Sequence, residues 1–165
     1  MPLVISDSST LIHLAGIGRL ELLRIFYRDV VVPAAVWREV VVEGRARPGV
    51  EAVAAGQQAG WIHVAEVKDL SLLQLLRRDL HAGEAEVIAL AVERGAALVL
   101  LDETEARQIA EVYGLAKTGV VGVLLRAKLE GQIEALRPEL DALREQSGFW
   151  IAERLYKRVL KAADE

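Results

Sequence analysis

Short apolar runs that stop at an acid, a proline or a glycine alternate with helical stretches along this chain, and that alternation allows few folds. Leu3 to Ser6 is an apolar run ending at Asp7. Val30 to Val32 is β-branched and stops at Pro33, whose fixed backbone suits the first turn of a following helix. Trp61 to Val64 is a third run, Ala97 to Leu101 is the strongest, and Ala116 to Thr118 is a last, short one. Helical spacing covers 8–15 and 20–26, with Gly16 and Gly18 between them, then Pro33 to about Glu43, and 50–58. It continues in a leucine-rich stretch from Asp69 or Ser71 to about Leu80, in Glu84 to Arg94 closed by Gly95, in Asp102 to Tyr113, and in 119–130. Two amphipathic helices separated by Gly148 are expected between Arg137 and Ala163. Strands alternating with helices argue for an α/β fold, a central parallel sheet with helices on both faces. One domain over 1–165 is expected, with about 137–165 as a C-terminal helical appendage.

Composition narrows the class. Hydrophobic residues make up 53% of the 165, ample for a core, and 27% are charged, too regular a mixture for a disordered chain. No apolar run approaches the roughly 20 residues that span a bilayer. The start of the chain has no basic segment followed by an apolar one, so no signal peptide and a cytoplasmic location are expected. With no cysteine there is no disulfide and no thiolate metal site. A net charge of -4 gives no global pull toward nucleic acid, so contact with RNA would need local basic residues or a bound cation.

The acids fall in informative places. Asp7 directly follows the first strand and Asp102 the strongest one. In open parallel sheets, ligands bind beyond the carboxyl ends of the strands. Glu84 opens a helix, near one end of the sheet, and Glu39 reaches the same edge only if its helix crosses it. Capping alone explains an Asp at a strand-to-helix junction, and a first-turn Glu complements the helix dipole. Four carboxylates at one small site need a cation, and hard oxygen donors favour Mg²⁺ or Mn²⁺ over zinc. Helix phase separates Glu84 from Glu86. The two point roughly 200° apart, and Glu84 shares its stripe with Ile88 and Ala91. The site role therefore goes to Glu84, and a surface or hydrogen-bonding role to Glu86.

Val4-Ile5-Ser6-Asp7-Ser8-Ser9-Thr10-Leu11 resembles the opening of PIN domains. Gly83-Glu84-Ala85-Glu86-Val87-Ile88-Ala89-Leu90-Ala91 through Leu101-Asp102 is similar to the central PIN block, and Val36-Trp37-Arg38-Glu39-Val40 to the family's acid-bearing helix. The tail from Ser147-Gly148-Phe149-Trp150-Ile151 resembles a bacterial and archaeal PIN-like subgroup of unassigned function. The resemblance implies a Rossmann-like sandwich and Mg²⁺- or Mn²⁺-dependent ribonuclease chemistry, as in VapC-type toxins of toxin–antitoxin pairs. It implies Asp7, Glu39, Glu84 and Asp102 as metal-site acids, Glu105 as a supplementary one, and Ser9 orienting the first carboxylate. The central acid, commonly Asp in VapC-type proteins, is here the longer Glu84.

The chemistry so implied is metal-assisted hydrolysis of RNA phosphodiester bonds, which needs no histidine base. His13, His63 and His81 belong to no visible motif, and no serine triad or phosphate loop is present. Arg45, Arg47, Arg77, Arg78, Arg107 and Lys117 read as ordinary surface charges, and Trp37, Trp61 and Trp150 as packing residues rather than base-stacking ones. A catalytically degenerate PIN-like module that binds protein or RNA without cutting is the alternative, ahead of an unrelated α/β phosphate enzyme. The apolar run Val120-Val121 and Val123 to Leu125, together with Leu155, Tyr156, Val159 and Leu160, predicts a homodimer, and less directly an antitoxin partner.

Overall fold

The computed structural model describes residues 2–165. Five parallel strands form one sheet: β1 (Val4–Ser6), β2 (Val30–Pro33), β3 (Ile62–Ala65), β4 (Leu98–Leu100) and β5 (Lys117–Thr118). Their order is β3-β2-β1-β4-β5, so the chain winds outward in both directions from the β1–β4 pair. Among the described residues ten α-helices complete the fold, with one π turn. They are α1 (Ser8–Gly16), α2 (Glu21–Tyr27), α3 (Ala34–Trp37), α4 (Val50–Gln58), α5 (Leu70–Leu76), α6 (Ala82–Arg94), α7 (Thr104–Val112), α8 (Val120–Leu129), α9 (Arg137–Gln146) and α10 (Glu153–Ala162). The expected α/β sandwich with a central parallel sheet is the observed one. No helix among the described residues is long and apolar enough to cross a membrane.

The strands form because both their faces are covered. Every residue of β1 and β2 is buried. α6 lies against β1, β2 and β4, while α2 packs on β2 and α4 on β3. Residues 85 and 87–91 of α6 are all at 0% exposure, which explains why that helix reads as apolar nearly all round. Gly95 ends it in the left-handed conformation, as glycine does at helix C-termini.

Three features depart from the sequence reading. The helix after Pro33 widens into a single π turn, Arg38–Val42, instead of running on as α-helix. The leucine-rich helix stops at Leu76, capped at its start by Asp69, and leaves Leu70 and Leu75 exposed. The run Val120 to Leu125 faces inward: Val120, Val123 and Leu124 are buried, and α8 packs on α1, α2 and α10. Most of its apolar character is thus satisfied within the chain, with Leu125 half-buried.

The C-terminal helices are tied down in the same way. α9 packs on α1 and α10 on α8, and Leu140, Leu143, Tyr156 and Leu160 join the hydrophobic cluster that contains the sheet. Arg19 grips both carboxylate oxygens of Glu139 through Nε and Nη2.

Gly49 is a sensitive point. Its φ is +86°, and a Cβ there would overlap the backbone carbonyl of Ala15 in α1. Gly49→Ala combines a left-handed penalty of about 1–3 kcal/mol with an overlap that costs a similar amount. Thermal unfolding of that variant should therefore begin at least ~5 °C lower, whereas Gly60→Ala, with a similar φ but open space around it, should lose less.

Candidate metal centre

Asp7 leaves β1 and starts α1. Its Oδ1 accepts the Thr10 backbone N–H at 2.8 Å, which satisfies an otherwise orphaned donor of the first helical turn. Its Oδ2 accepts the backbone N–H of Asp102 at 3.1 Å. In return the Asp7 N–H donates to Leu100 O at 3.0 Å. The two acids therefore stand side by side at the ends of adjacent strands, at the point where the strand order reverses.

Asp102 does not cap the helix that follows it. Its Oδ1 accepts the Val120 N–H at 3.0 Å, at the start of α8, and its Oδ2 accepts the Thr10 hydroxyl at 3.1 Å. Gly119 makes this possible, because a Cβ at that position would overlap Asp102 Oδ1. The Ser9 hydroxyl also favours the charged form of Asp102.

Glu39 arrives by way of the π turn. The extra residue in that turn re-aims it, and Oε2 accepts the Ser8 hydroxyl at 2.8 Å. Gly83 leaves room for it, with a would-be Cβ 3.4 Å from Glu39 Oε2. Glu84 closes a capping box, accepting the His81 N–H at 3.3 Å. Glu86 points the other way and accepts the Ala35 N–H at 3.0 Å, at the start of α3.

Two clefts meet over these residues. One, of about 600 Å³, is lined by Asp7, Glu39 and Glu84 with Arg47, His13 and His81. The other, of about 700 Å³, has Asp102 at its inner end. Ser9, His13 and Glu103 line both. Glu105 faces a shallower recess that it shares with Arg77, Arg78, Glu84 and Glu103. Glu103, His13, Ser8 and Thr10 were not singled out as site residues in the sequence. Ser8, Thr10 and His13 follow the first acid on one short helix, the only local signal for them.

The electrostatics are those of crowded acids. Burial, with the Asp102 charge adding to it, pushes the Asp7 carboxyl up to about 7. Burial also raises Asp102, against the donors from Val120, Thr10 and Ser9. Burial raises Glu84, helped by Glu103 and Glu39. It lowers His13, where the Asp102 charge opposes the fall and Arg47 adds to it.

A family model described as PIN domain matches residues 3–165. The chain belongs to the PIN-domain family. No curated protein matches the chain. PIN domains share a nuclease-type fold and generally use divalent metal ions, so the donor set of this one can be tested for fit. Among the described residues no three Asp, Glu or His side chains stand together as a ready-made cage. Mg²⁺, however, keeps several waters and is held through one or two carboxylates plus substrate phosphate. The Asp7–Asp102 pair meets that need: oxygen donors only, close together, and held apart from water at a cost that a cation would relieve. The residues fit.

The same crowding sets the pH response. Asp7 has a folded-state pKa above its unfolded 3.8, so its contribution to stability is complete below about pH 4 and is lost as pH rises through about 7. The ceiling on that loss is about 4 kcal/mol. Asp102→Asn removes the like charge yet keeps an oxygen for the Val120 N–H and an amide for the Thr10 hydroxyl. In EDTA this variant should melt several degrees above wild type at pH 8 and show a smaller gain at pH 4.5. Mn²⁺ should raise the melting temperature of wild type at pH 8 more than that of the variant. A difference between the proteins that does not change with pH would contradict the assignment.

Proposed function

We propose that this PIN domain is a Mg²⁺- or Mn²⁺-dependent ribonuclease that hydrolyses RNA phosphodiester bonds. The observation that carries the reading is the Asp7–Asp102 pair, a buried and a half-buried carboxylate joined through a backbone hydrogen bond at the reversal point of the sheet. Asp7 and Asp102 would hold the cation, with Glu39, Glu84 and Glu103 lining the same cleft as Asp7. Ser8 steadies Glu39, Thr10 and Ser9 steady Asp102, and Gly119 leaves the second carboxylate its space. When bound, the cation supplies charge neutralisation and an activated water for attack on phosphate. Arg47 and His81, at the edge of the same cleft, would meet the phosphate charge.

One observation favours the alternative of a binding module without cleavage. Asp7 is only 3% exposed and both its oxygens are already hydrogen-bonded. Incubating the purified protein with RNA in Mn²⁺ and in EDTA decides between the two. Cleavage in Mn²⁺ alone is expected. Glu84→Gln should remove it, and Glu86→Gln should leave most, because glutamine keeps an acceptor for the Ala35 N–H. Binding of RNA without any cleavage would favour the alternative, and the reverse order of the two variants would move the site role to Glu86.

The same reading takes residues 1–165 as one folding unit acting in the cytoplasm, where the expected role is the toxin of a toxin–antitoxin pair. It includes a homodimer as the assembly. With most of the apolar run of α8 buried, support for an apolar contact, whether with a second copy or with an antitoxin, comes from α5, where Leu70 is 67% and Leu75 54% exposed. Light scattering at micromolar concentration should give twice the mass of the chain. A species of single-chain mass would rule out the dimer and leave those leucines to another protein.

A further inference from the structure

The outer part of the second cleft is not explained by the acids at its inner end. Its walls come from α7, α8, α10 and the loop between α9 and α10, and they carry Arg107, Arg158, Phe149 and Trp150. Trp150 is 82% exposed, an unusual position for the largest apolar side chain in a chain that buries Trp61 to 6%. Its neighbours in sequence are pinned. The Phe149 N–H donates to Leu143 O at 2.9 Å and its ring meets His13 edge-on with centroids 4.8 Å apart. Ile151 is buried and its carbonyl accepts Arg144 Nη2 at 3.1 Å, while Ser147 Oγ is hydrogen-bonded to His13 Nδ1. A rigid loop thus holds one indole out into the cleft, and that indole stacks on no other ring among the described residues.

Charge points to the kind of ligand. The first cleft is dominated by Asp7, Glu39, Glu84 and Glu103 and repels a phosphodiester chain until a cation is bound. The second sets Arg107 and Arg158 against Asp102 and Glu103. Arg107 Nη1 is engaged by Leu101 O at 2.7 Å, whereas Arg158 is exposed and makes no ion pair among the described residues. An exposed aromatic platform beside a free guanidinium, leading directly to Asp102, matches an unpaired base and its phosphate.

We propose that this cleft is a subsite for single-stranded RNA, with Trp150 as the stacking platform for one unpaired base and Arg158 as the contact to an adjacent phosphate. The proposal rests on the nuclease reading above and names the form of substrate that the acid centre receives. A base-paired strand has no free face to offer Trp150, so duplex RNA is excluded.

The test uses the Glu84→Gln protein in Mn²⁺, whose altered residue lies in the other cleft, and a fluorescein-labelled ten-nucleotide single-stranded RNA followed by anisotropy. Adding Trp150→Ala should weaken binding about tenfold, and adding Trp150→Phe should weaken it less. Adding Arg158→Gln should weaken binding and flatten its dependence on salt by about one phosphate contact. An unlabelled duplex of the same sequence should not compete. Because Trp150 is so exposed, its replacement should leave the melting temperature unchanged, so loss of binding cannot be loss of fold. Unchanged affinity on Trp150→Ala overturns the subsite, leaves the nuclease reading intact and points the exposed indole to a protein partner. Competition by duplex as strong as by single strand overturns the stacking role. A parent that binds no RNA, together with a wild type that does not cleave it, defeats the reading on which the proposal rests.

Discussion

The carboxylate of Asp7 is shared between two pieces of backbone, and the site is built around that division. One oxygen holds the first turn of α1 through Thr10, and the other holds the chain just beyond β4 through Asp102. A neutral acceptor would do the first task at little cost. The second draws a like-charged residue against Asp7 at 3% exposure, which is the wrong place for two anions unless something positive joins them. The same bond that organises the strand ends therefore also creates the electrostatic problem. A stretch of sequence selected for stability alone would have little reason to keep both acids.

Several otherwise unrelated features serve that pair. Gly119 has no side chain, so Asp102 can turn toward the start of α8 instead of capping α7. The π turn at Arg38–Val42 brings Glu39 to Ser8, with Gly83 of α6 beside it. A π turn is locally less favourable than continued α-helix, and such turns cluster where a side chain must be re-aimed. The π turn delivers its acid to the first cleft and Gly119 borders the second, whereas α6 and the sheet are regular. Irregularity has been concentrated where charge has to be placed.

That distribution explains what the sequence revealed. β1, β2 and β4 were legible because strands buried on both faces appear as continuous β-branched or aliphatic runs, and Gly95 and Asp69 are local punctuation. Asp7 and Asp102 were legible as a pair because each follows such a run. The π turn was not, since its residues Arg38 to Val42 have the composition of an ordinary helix and what surrounds them, α4 and α1, is brought there only by the fold. Nor was the partner of Asp102, because the Val120 N–H lies 18 residues on and meets it only through the fold. The apolar stripe of α8 looked like an interface because a sequence cannot say whether a helix face is covered by its own chain or by another. Glu103 and His13 were passed over for a similar reason: one is an ordinary residue after an acid, the other a lone histidine, and only the meeting of two clefts gives them a position.

α1 is the element through which these constraints reach the rest of the molecule. Successive residues on a helix turn by about 100°, so Ser8, Ser9 and Thr10 fan out from its first turn. Ser8 reaches Glu39, Ser9 reaches Asp102, and Thr10 reaches both acids of the pair. One turn later His13 holds Ser147 and Phe149, and so fixes the loop between α9 and α10. The direction of α1 is set at its start by the Asp7 cap. A shift in that cap would therefore move the facing acid, the partner acid and the C-terminal loop together. The small hydroxyl residues after the first acid are better understood as this hub than as ligands: each is too short to reach beyond its immediate surroundings, and their order along the helix decides which part of the site each one holds.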